Sequence, residues 1–266
     1  MRQFSTISER GLVGRVAALD LIGQRKTFRR DDIARFQTPS PAERRQWLEA
    51  FKQSAPQNAL PNFLSALDYF RAGQADKAVQ ELNAAAVKPQ FQDYSADFVQ
   101  NDEEAWEAAG YSVAEAKTAA SMLLVLPHLG AMKELSQDIA SLAASYGQTG
   151  DAASAQAALQ AGLSLGQRLN GSPDQSLVNQ LVGDAVQSSF LRLMDPATPY
   201  GEGGQTAQDR LNELAAQRTE ISQLTKQFEA VQQNVSEQDW ISYKDRWRSF
   251  GEEAALRWLI AKYNPK

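Results

Sequence analysis

His128 is the single histidine of the chain, and it is the first residue to ask about chemistry. It follows Pro127 at a helix junction and lies between Leu126 and Leu129. A general base needs an orienting acid and a nucleophile within reach, and no sequence signature supplies either. The bland expectation is a ring that bonds a helix-end carbonyl or caps a neighbouring helix. One histidine excludes a multi-histidine metal site within one chain, and the absence of cysteine excludes disulfides, thiolate zinc, iron–sulfur clusters and a thiol nucleophile. Asp102, Glu103 and Glu104 are consecutive, so on a helix they point to different faces; a solvated charge run is expected there. The sequence lacks a phosphate-cradling G-x-x-x-x-G-K-[ST], a G-x-G-x-x-G after a strand, a G-x-S-x-G elbow, an H-E-x-x-H and a calcium loop. The reading is therefore of a non-enzyme with no cofactor and no metal.

The aromatic set Trp240, Tyr243, Trp247, Phe250 and Trp258 falls at helical spacing, which reads as core. The interleaved Lys244, Arg246, Arg248 and Arg257 are neutralised by Glu237, Asp239, Asp245, Glu252 and Glu253, so nucleic acid is not an expected partner. A pI near 5.1 agrees. The net charge of −5 is unevenly placed: Arg2 to Arg35 carries eight basic against four acidic residues, leaving that segment near +4 and the remainder near −9. Mixed charges of this kind read as a solvated helix face, with contact to an anionic surface as the alternative.

The elements that position these residues are helical throughout. At 266 residues, 43% hydrophobic and 22% charged, the chain has enough apolar surface for a substantial core. No apolar run reaches the roughly 17 residues that a membrane span needs. Charges at Glu9, Arg10, Arg15 and Asp20 interrupt any leader-like run. Leu12, Val13, Val16, Leu19 and Ile22 predict a helix over 8–23, with a short second one over 28–36. Ser40-Pro41-Ala42-Glu43 and Ser112-Val113-Ala114-Glu115 are capping boxes that open further helices. The first of these helices carries Trp47, Leu48 and Phe51; the second is expected to run buried through Met122–Leu126 and to stop at Pro127. Phe91–Gly110 reads as a loop plus a helix.

Tyr146–Gly162 repeats Tyr69–Ala85 at an offset of 77: Tyr146 falls on Tyr69, Gly150 on Gly73, Ala155 on Ala78 and Leu159 on Leu82. Each copy predicts a helix, a tight turn and a second helix. In the first copy Leu64, Leu67 and Phe70 are expected to face inward against Ala78, Val79 and Leu82. Ser172-Pro173-Asp174-Gln175 predicts another start, with Leu177, Leu181, Ala185 and Phe190 buried. DPATPYGEGGQ, Asp195–Gln205, reads as a linker. Beyond it, Leu214, Ile221, Leu224, Phe228, Val231 and Val235 form an a/d seam interrupted at Gln217. Trp240, Tyr243, Trp247, Phe250 and Ala254 form a second seam, so two long helices joined near Ser236 should fold into an antiparallel hairpin.

At the two hairpins the chain resembles the tetratricopeptide repeat, through Ala66, Tyr69, Ala78, Leu82 and Pro89 in one copy and Ile139, Leu142, Ala143, Tyr146, Ala155 and Leu159 in the other. Asn62 and Ile139 stand where the repeat opens with tryptophan, and the offset is not a multiple of its roughly 34-residue period. Leu123–Tyr146, followed by GLSLGQRL and SLVNQLVGDAV, is similar to a class of uncharacterised, often exported bacterial helical proteins. The implied fold is all-α, an irregular tetratricopeptide-like array followed by a long C-terminal helical hairpin. Its expected divisions are a basic segment 1–36, the array 37–195, a linker 196–205 and the hairpin 206–266. The resemblance implies a scaffold for an unidentified protein or peptide, with Asn62, Ser65, Asp68, Gln137 and Ser141 as candidate groove contacts. These positions lack the lysine and asparagine pattern that clamps a peptide's terminal carboxylate. The alternatives are a small-ligand or enzymatic domain with a pocket near His128, and a subunit of an exported or membrane-attached assembly. Localisation would be periplasmic if a leader has been removed, and cytoplasmic otherwise.

Overall fold

The computed structural model describes residues 39–122, 124–172, 176–200 and 204–263. The helices expected over 8–23 and 28–36 lie outside these residues. Among the described residues the chain is all-α, with no strand beyond isolated bridges. The helices are α1 (Pro41–Ser54), α2 (Leu60–Arg71), α3 (Ala75–Ala86), α4 (Ser95–Ala108), α5 (Val113–Met122), α6 (Pro127–Gln148), α7 (Ala152–Asn170), α8 (Leu177–Leu191), α9 (Ala207–Val231), α10 (Glu237–Phe250) and α11 (Glu252–Tyr263). Neighbours in sequence pack as pairs: α2 with α3, α4 with α5, α7 with α8 and α10 with α11.

Among the described residues the chain divides into two compact units, 39–47 with 94–127, and 48–93 with 128–263. The division does not run through the 196–205 segment. In the first unit, Glu43 accepts from the Ser40 N–H at 2.8 Å and donates its own N–H to Ser40 Oγ at 3.2 Å, so the expected box starts α1. Trp47, counted on that helix as apolar, is 61% exposed. The Ser112–Glu115 box starts α5 in the same way, at 2.9 and 3.3 Å. The α4–α5 turn is closed by Gly110 at φ 94°, and Trp106 meets Tyr111 edge-on at 4.9 Å. Glu103 is not part of a solvated run: it is enclosed and pairs with Lys117 at 3.2 Å. α5 ends at Met122, which is 76% exposed, and the run through Leu126 does not continue it. Pro127 opens α6 instead of ending a helix, as its missing N–H allows at a first-turn position.

In the second unit the two copies of the repeated motif make the same turn. Gly73 and Gly150 sit at φ 70° and 80°, and the N–H groups of Gln74 and Asp151 each reach back to Tyr69 O and Tyr146 O at 2.9 Å. This is a helix C-terminus whose left-handed residue favours glycine. On α2 the enclosed apolar residues are Leu60, Phe63, Ala66 and Leu67, while Leu64 and Phe70 are only half-buried.

The α7–α8 pair approaches closely over its glycines. A Cβ on Gly162 would stand 2.1 Å from the Phe190 ring, and one on Gly183 would stand 1.8 Å from Asn170 Oδ1 and 2.6 Å from Gly166 O. α8 starts from Ser176, whose Oγ accepts the Asn179 N–H, and not from Ser172. Ala185, expected inside, is exposed; Val186 and Leu191 take the inner positions beside Phe190.

The linker is pinned where it is described. Pro199 and Thr206 form a bridge, Tyr200 N–H donates to Gln205 O at 2.7 Å, and Ala207 N–H donates to Thr198 O at 2.9 Å. Thr206 and Asp209 then form a full capping box for α9. Leu214, Ile221, Leu224 and Val231 are enclosed as the seam predicts. The second long helix is broken at Gly251, φ 86°, into α10 and α11. Its seam therefore does not run on: Phe250 is 64% exposed, Ala254 is exposed, and Ala255, Leu256, Leu259 and Ile260 are buried instead. Leu177 of α8 joins this cluster, so the C-terminal helices share a core with the array.

Candidate functional site

The five proposed groove positions fall into two sets. On α2, Asn62, Ser65 and Asp68 are enclosed, at 4%, 3% and 6% exposure. They do not form an open contact surface, because α2 is covered around most of its circumference and not along one stripe. Asn62 Nδ2 donates to Glu81 Oε2 at 2.7 Å, and Glu81 Oε1 accepts from Lys52 Nζ at 2.6 Å. Asn62 Oδ1 and Ser65 Oγ are buried without a hydrogen-bond partner. On α6, Gln137 and Ser141 are exposed one turn apart, with Ser141 Oγ donating to Gln137 O at 2.9 Å.

The helices carrying the two sets are joined by a forked ion pair. Arg71 Nε and Nη2 donate to Glu134 Oε1 and Oε2 at 2.7 and 2.5 Å. A two-point guanidinium–carboxylate contact fixes orientation as well as distance. It holds the Glu134 carboxyl below its ordinary value through the Arg71 hydrogen bonds. Burial, and then the Glu134 charge, push the nearby Asp138 upward.

His128 stands in the first turn of α6 and faces a carboxylate, not the helix-end carbonyl or cap expected from the sequence. Its Nε2 lies 2.9 Å from Asp93 Oδ2 without the alignment of a hydrogen bond, and both side chains are nearly enclosed, at 10% and 4% exposure. Asn179 Nδ2 of α8 approaches the same oxygen at 3.4 Å. The segment carrying Asp93 is itself held firmly. Asn58 Nδ2 donates to Gln92 O at 2.7 Å, and Asn58 Oδ1 accepts the N–H groups of Gln92 at 3.0 Å and Leu60 at 3.1 Å. Gln90 N–H donates to Gln57 O, and Ala59 N–H donates to Gln90 O at 2.8 Å. An imidazole beside a carboxylate is one half of a general-base arrangement. Among the described residues no group of three or more histidine, aspartate or glutamate side chains is placed to hold a metal ion.

Asp93, Asn58 and Asn179 were not singled out from the sequence. Asn58 carried a usable signal, since an Asn shortly before Leu60-Pro61 is a helix-start residue. Its second role, binding backbone of the 90–92 strip, has no local signature.

The aromatic set is a packed cluster, as its spacing predicts for Tyr243, which is 3% exposed. Phe228 stacks on Trp240 and Tyr243 at 6.5 and 6.0 Å, and Lys244 Nζ sits over Trp240, Tyr243 and Trp247 at 4.8, 5.3 and 4.8 Å. Burial, with Glu252 nearby, pushes the Tyr243 hydroxyl far above its ordinary range, so it remains protonated. At the far end Asp239 accepts from Tyr263 Oη at 2.6 Å, from Ser236 Oγ at 2.9 Å and from Lys262 Nζ. The Lys262 and Tyr263 hydrogen bonds hold its carboxyl down at about 2.

Compared with family models, with curated proteins and with solved structures, the chain matches none. What the geometry defines is the class: an all-helical protein whose neighbouring helices pack in pairs.

Proposed function

We propose that this protein is a non-enzymatic helical scaffold that binds another protein or peptide. The observation that supports the reading is the recurrence of one helix-ending turn at Tyr69–Gly73 and Tyr146–Gly150, within an array in which α2 packs on α3 and α7 on α8. Such tetratricopeptide-like arrays offer preformed helical faces, which bind without the entropic cost of ordering a loop. The face favoured by exposure is that of α6, where Gln137 and Ser141 are open and the Arg71–Glu134 fork fixes the helix against α2. Asn62, Ser65 and Asp68 would support that face from within.

Crosslinking with mass spectrometry on a tagged full-length chain tests this. A stoichiometric protein partner, lost in Gln137→Arg and Ser141→Arg but retained in His128→Phe, is the expected result. A monomer that captures no protein and carries a small molecule by native mass spectrometry would sink the scaffold reading. The specific observation behind that second reading is the His128–Asp93 approach, a nearly enclosed imidazole 2.9 Å from a carboxylate oxygen.

A further inference from the structure

The second unit is interrupted between Asp93 and His128, and the chain in between, Tyr94–Pro127, belongs to the first. The residue where the chain leaves and the residue where it returns thus face each other, His128 Nε2 lying 2.9 Å from Asp93 Oδ2 as a charge contact without hydrogen-bond alignment. We infer that Asp93, His128 and Asn179 form a clamp at the root of the 94–127 excursion, holding its exit and its re-entry side by side.

Three observations carry this. On the exit side, the strip 90–93 is fastened to the second unit by the Asn58 fork, by the Gln57–Gln90 and Gln90–Ala59 backbone bonds, and by Asn179. On the return side, His128 is in the first turn of α6, directly after Pro127, whose ring fixes the entry angle. Between them, Tyr94 adopts φ 60°, the one non-glycine residue in the left-handed region among the described residues. A bulky side chain there is strained, and the strain persists only where neighbours over-determine it. The fastened strip and the clamp supply that constraint. Closing an excursion of this length also has an entropic cost that the contact between its ends offsets. The clamp is a positioning device: His128 acts on the path of the backbone through Asp93.

The test is hydrogen exchange by mass spectrometry on the full chain, comparing the root, 90–94 and 128–132, with the interior of α4, α5 and α9. His128→Phe keeps a planar ring and removes the nitrogen. It is expected to speed exchange at the root by about tenfold while leaving the other helices unchanged. Asp93→Asn should do the same to a smaller degree. The double variant should exchange no faster than His128→Phe alone, because both remove one interaction. Tyr94→Gly, which removes the strain and keeps the Asp93, His128 and Asn179 side chains, should suppress the acceleration caused by His128→Phe. Root exchange that does not change in either single variant would overturn the inference. So would effects that add in the double variant, an acceleration spread over all helices, or an acceleration indifferent to Tyr94→Gly. Should His128→Phe fail to fold, Asp93→Asn with and without Tyr94→Gly puts the same question.

Discussion

Around α2 and α3 the fully enclosed small residues are alanines; between α7 and α8 the helices meet over glycine. Ala59, Ala66, Ala78 and Ala85 are all fully enclosed, and their methyl groups fill the space around the first pair. In the second pair even a methyl is too large, since Phe190 lies against Gly162 and Asn170 fills the gap at Gly183. The space saved is used by polar groups. Asn170 Nδ2 donates to Asp184 Oδ1 at 2.7 Å, and Arg210 of α9 donates to Gln187 Oε1 at 3.3 Å. Asp184 is fully enclosed, and burial raises its carboxyl despite the Asn170 bond. The lesson is that a repeated turn motif does not fix how the helices beside it pack. The helix after Gly150 takes its closest neighbour from the element that follows it, and small residues decide the distance.

The sharpest way to break this comparison is Gly183→Ala. The new Cβ would collide with Gly166 O, a backbone atom that cannot swing away, and would displace the Asn170 carboxamide from Asp184. A loss of about 3 kcal/mol is expected in urea unfolding, the upper end of the usual overpacking cost. Gly162→Ala should cost about 2 kcal/mol, because its clash is with a side chain. Phe190→Leu in that background should restore part of the loss, so the double variant should be more stable than the sum of the singles predicts. An additive result would show that the ring and the glycine are not the coupled pair.

Gly73→Ala and Gly150→Ala bring no steric contact, since nothing lies within 4 Å of either added Cβ. The cost is the left-handed backbone alone, about 1 kcal/mol each. Equal losses would confirm that the two copies share a turn and differ only in packing.

The smallest effect is confined to acid. The folded Asp239 carboxyl sits at about 2 against an ordinary 3.8, held there by Lys262 and Tyr263. A depressed carboxylate stabilises the fold above pH 3.8, and this contribution is lost as pH falls toward about 2. Asp239→Asn should flatten the acid limb of the stability–pH curve in that window and leave the α7–α8 pair untouched. Near-ultraviolet dichroism of the Trp240–Trp247 cluster would follow the change.

What was legible in the sequence is what is local. The boxes at Ser40 and Ser112 and the turns at Gly73 and Gly150 each involve residues within a few positions, so residue type alone specifies them. Thr206–Asp209 obeys the same logic and was missed because aspartate takes the place of the usual glutamate. Pro127 was misread because proline suits a first helical turn as well as it prevents continuation. The break at Gly251 was hidden by a seam of apolar residues that continues across it at helical spacing. The groove positions on α2 were illegible for a different reason. Asn62, Ser65 and Asp68 look solvent-facing by polarity, yet their enclosure depends on elements distant in the chain. Asp93 and His128, the most specific pairing of the candidate site, lie at the two ends of an excursion that no local pattern reports.

The pairing of neighbours has a consequence for how fast the chain can reach this fold. The α2–α3, α4–α5, α7–α8 and α10–α11 contacts each close only a short loop, so their formation costs little chain entropy and can proceed early and in parallel. Contacts that span long separations, such as Asn58 with Gln92 or the Leu177 N–H with Glu252 Oε2 at 2.7 Å, must wait until those pairs exist. A chain emerging from the ribosome would therefore build its hairpins in order, and fasten the strip before Tyr94 only after much of the array has been made.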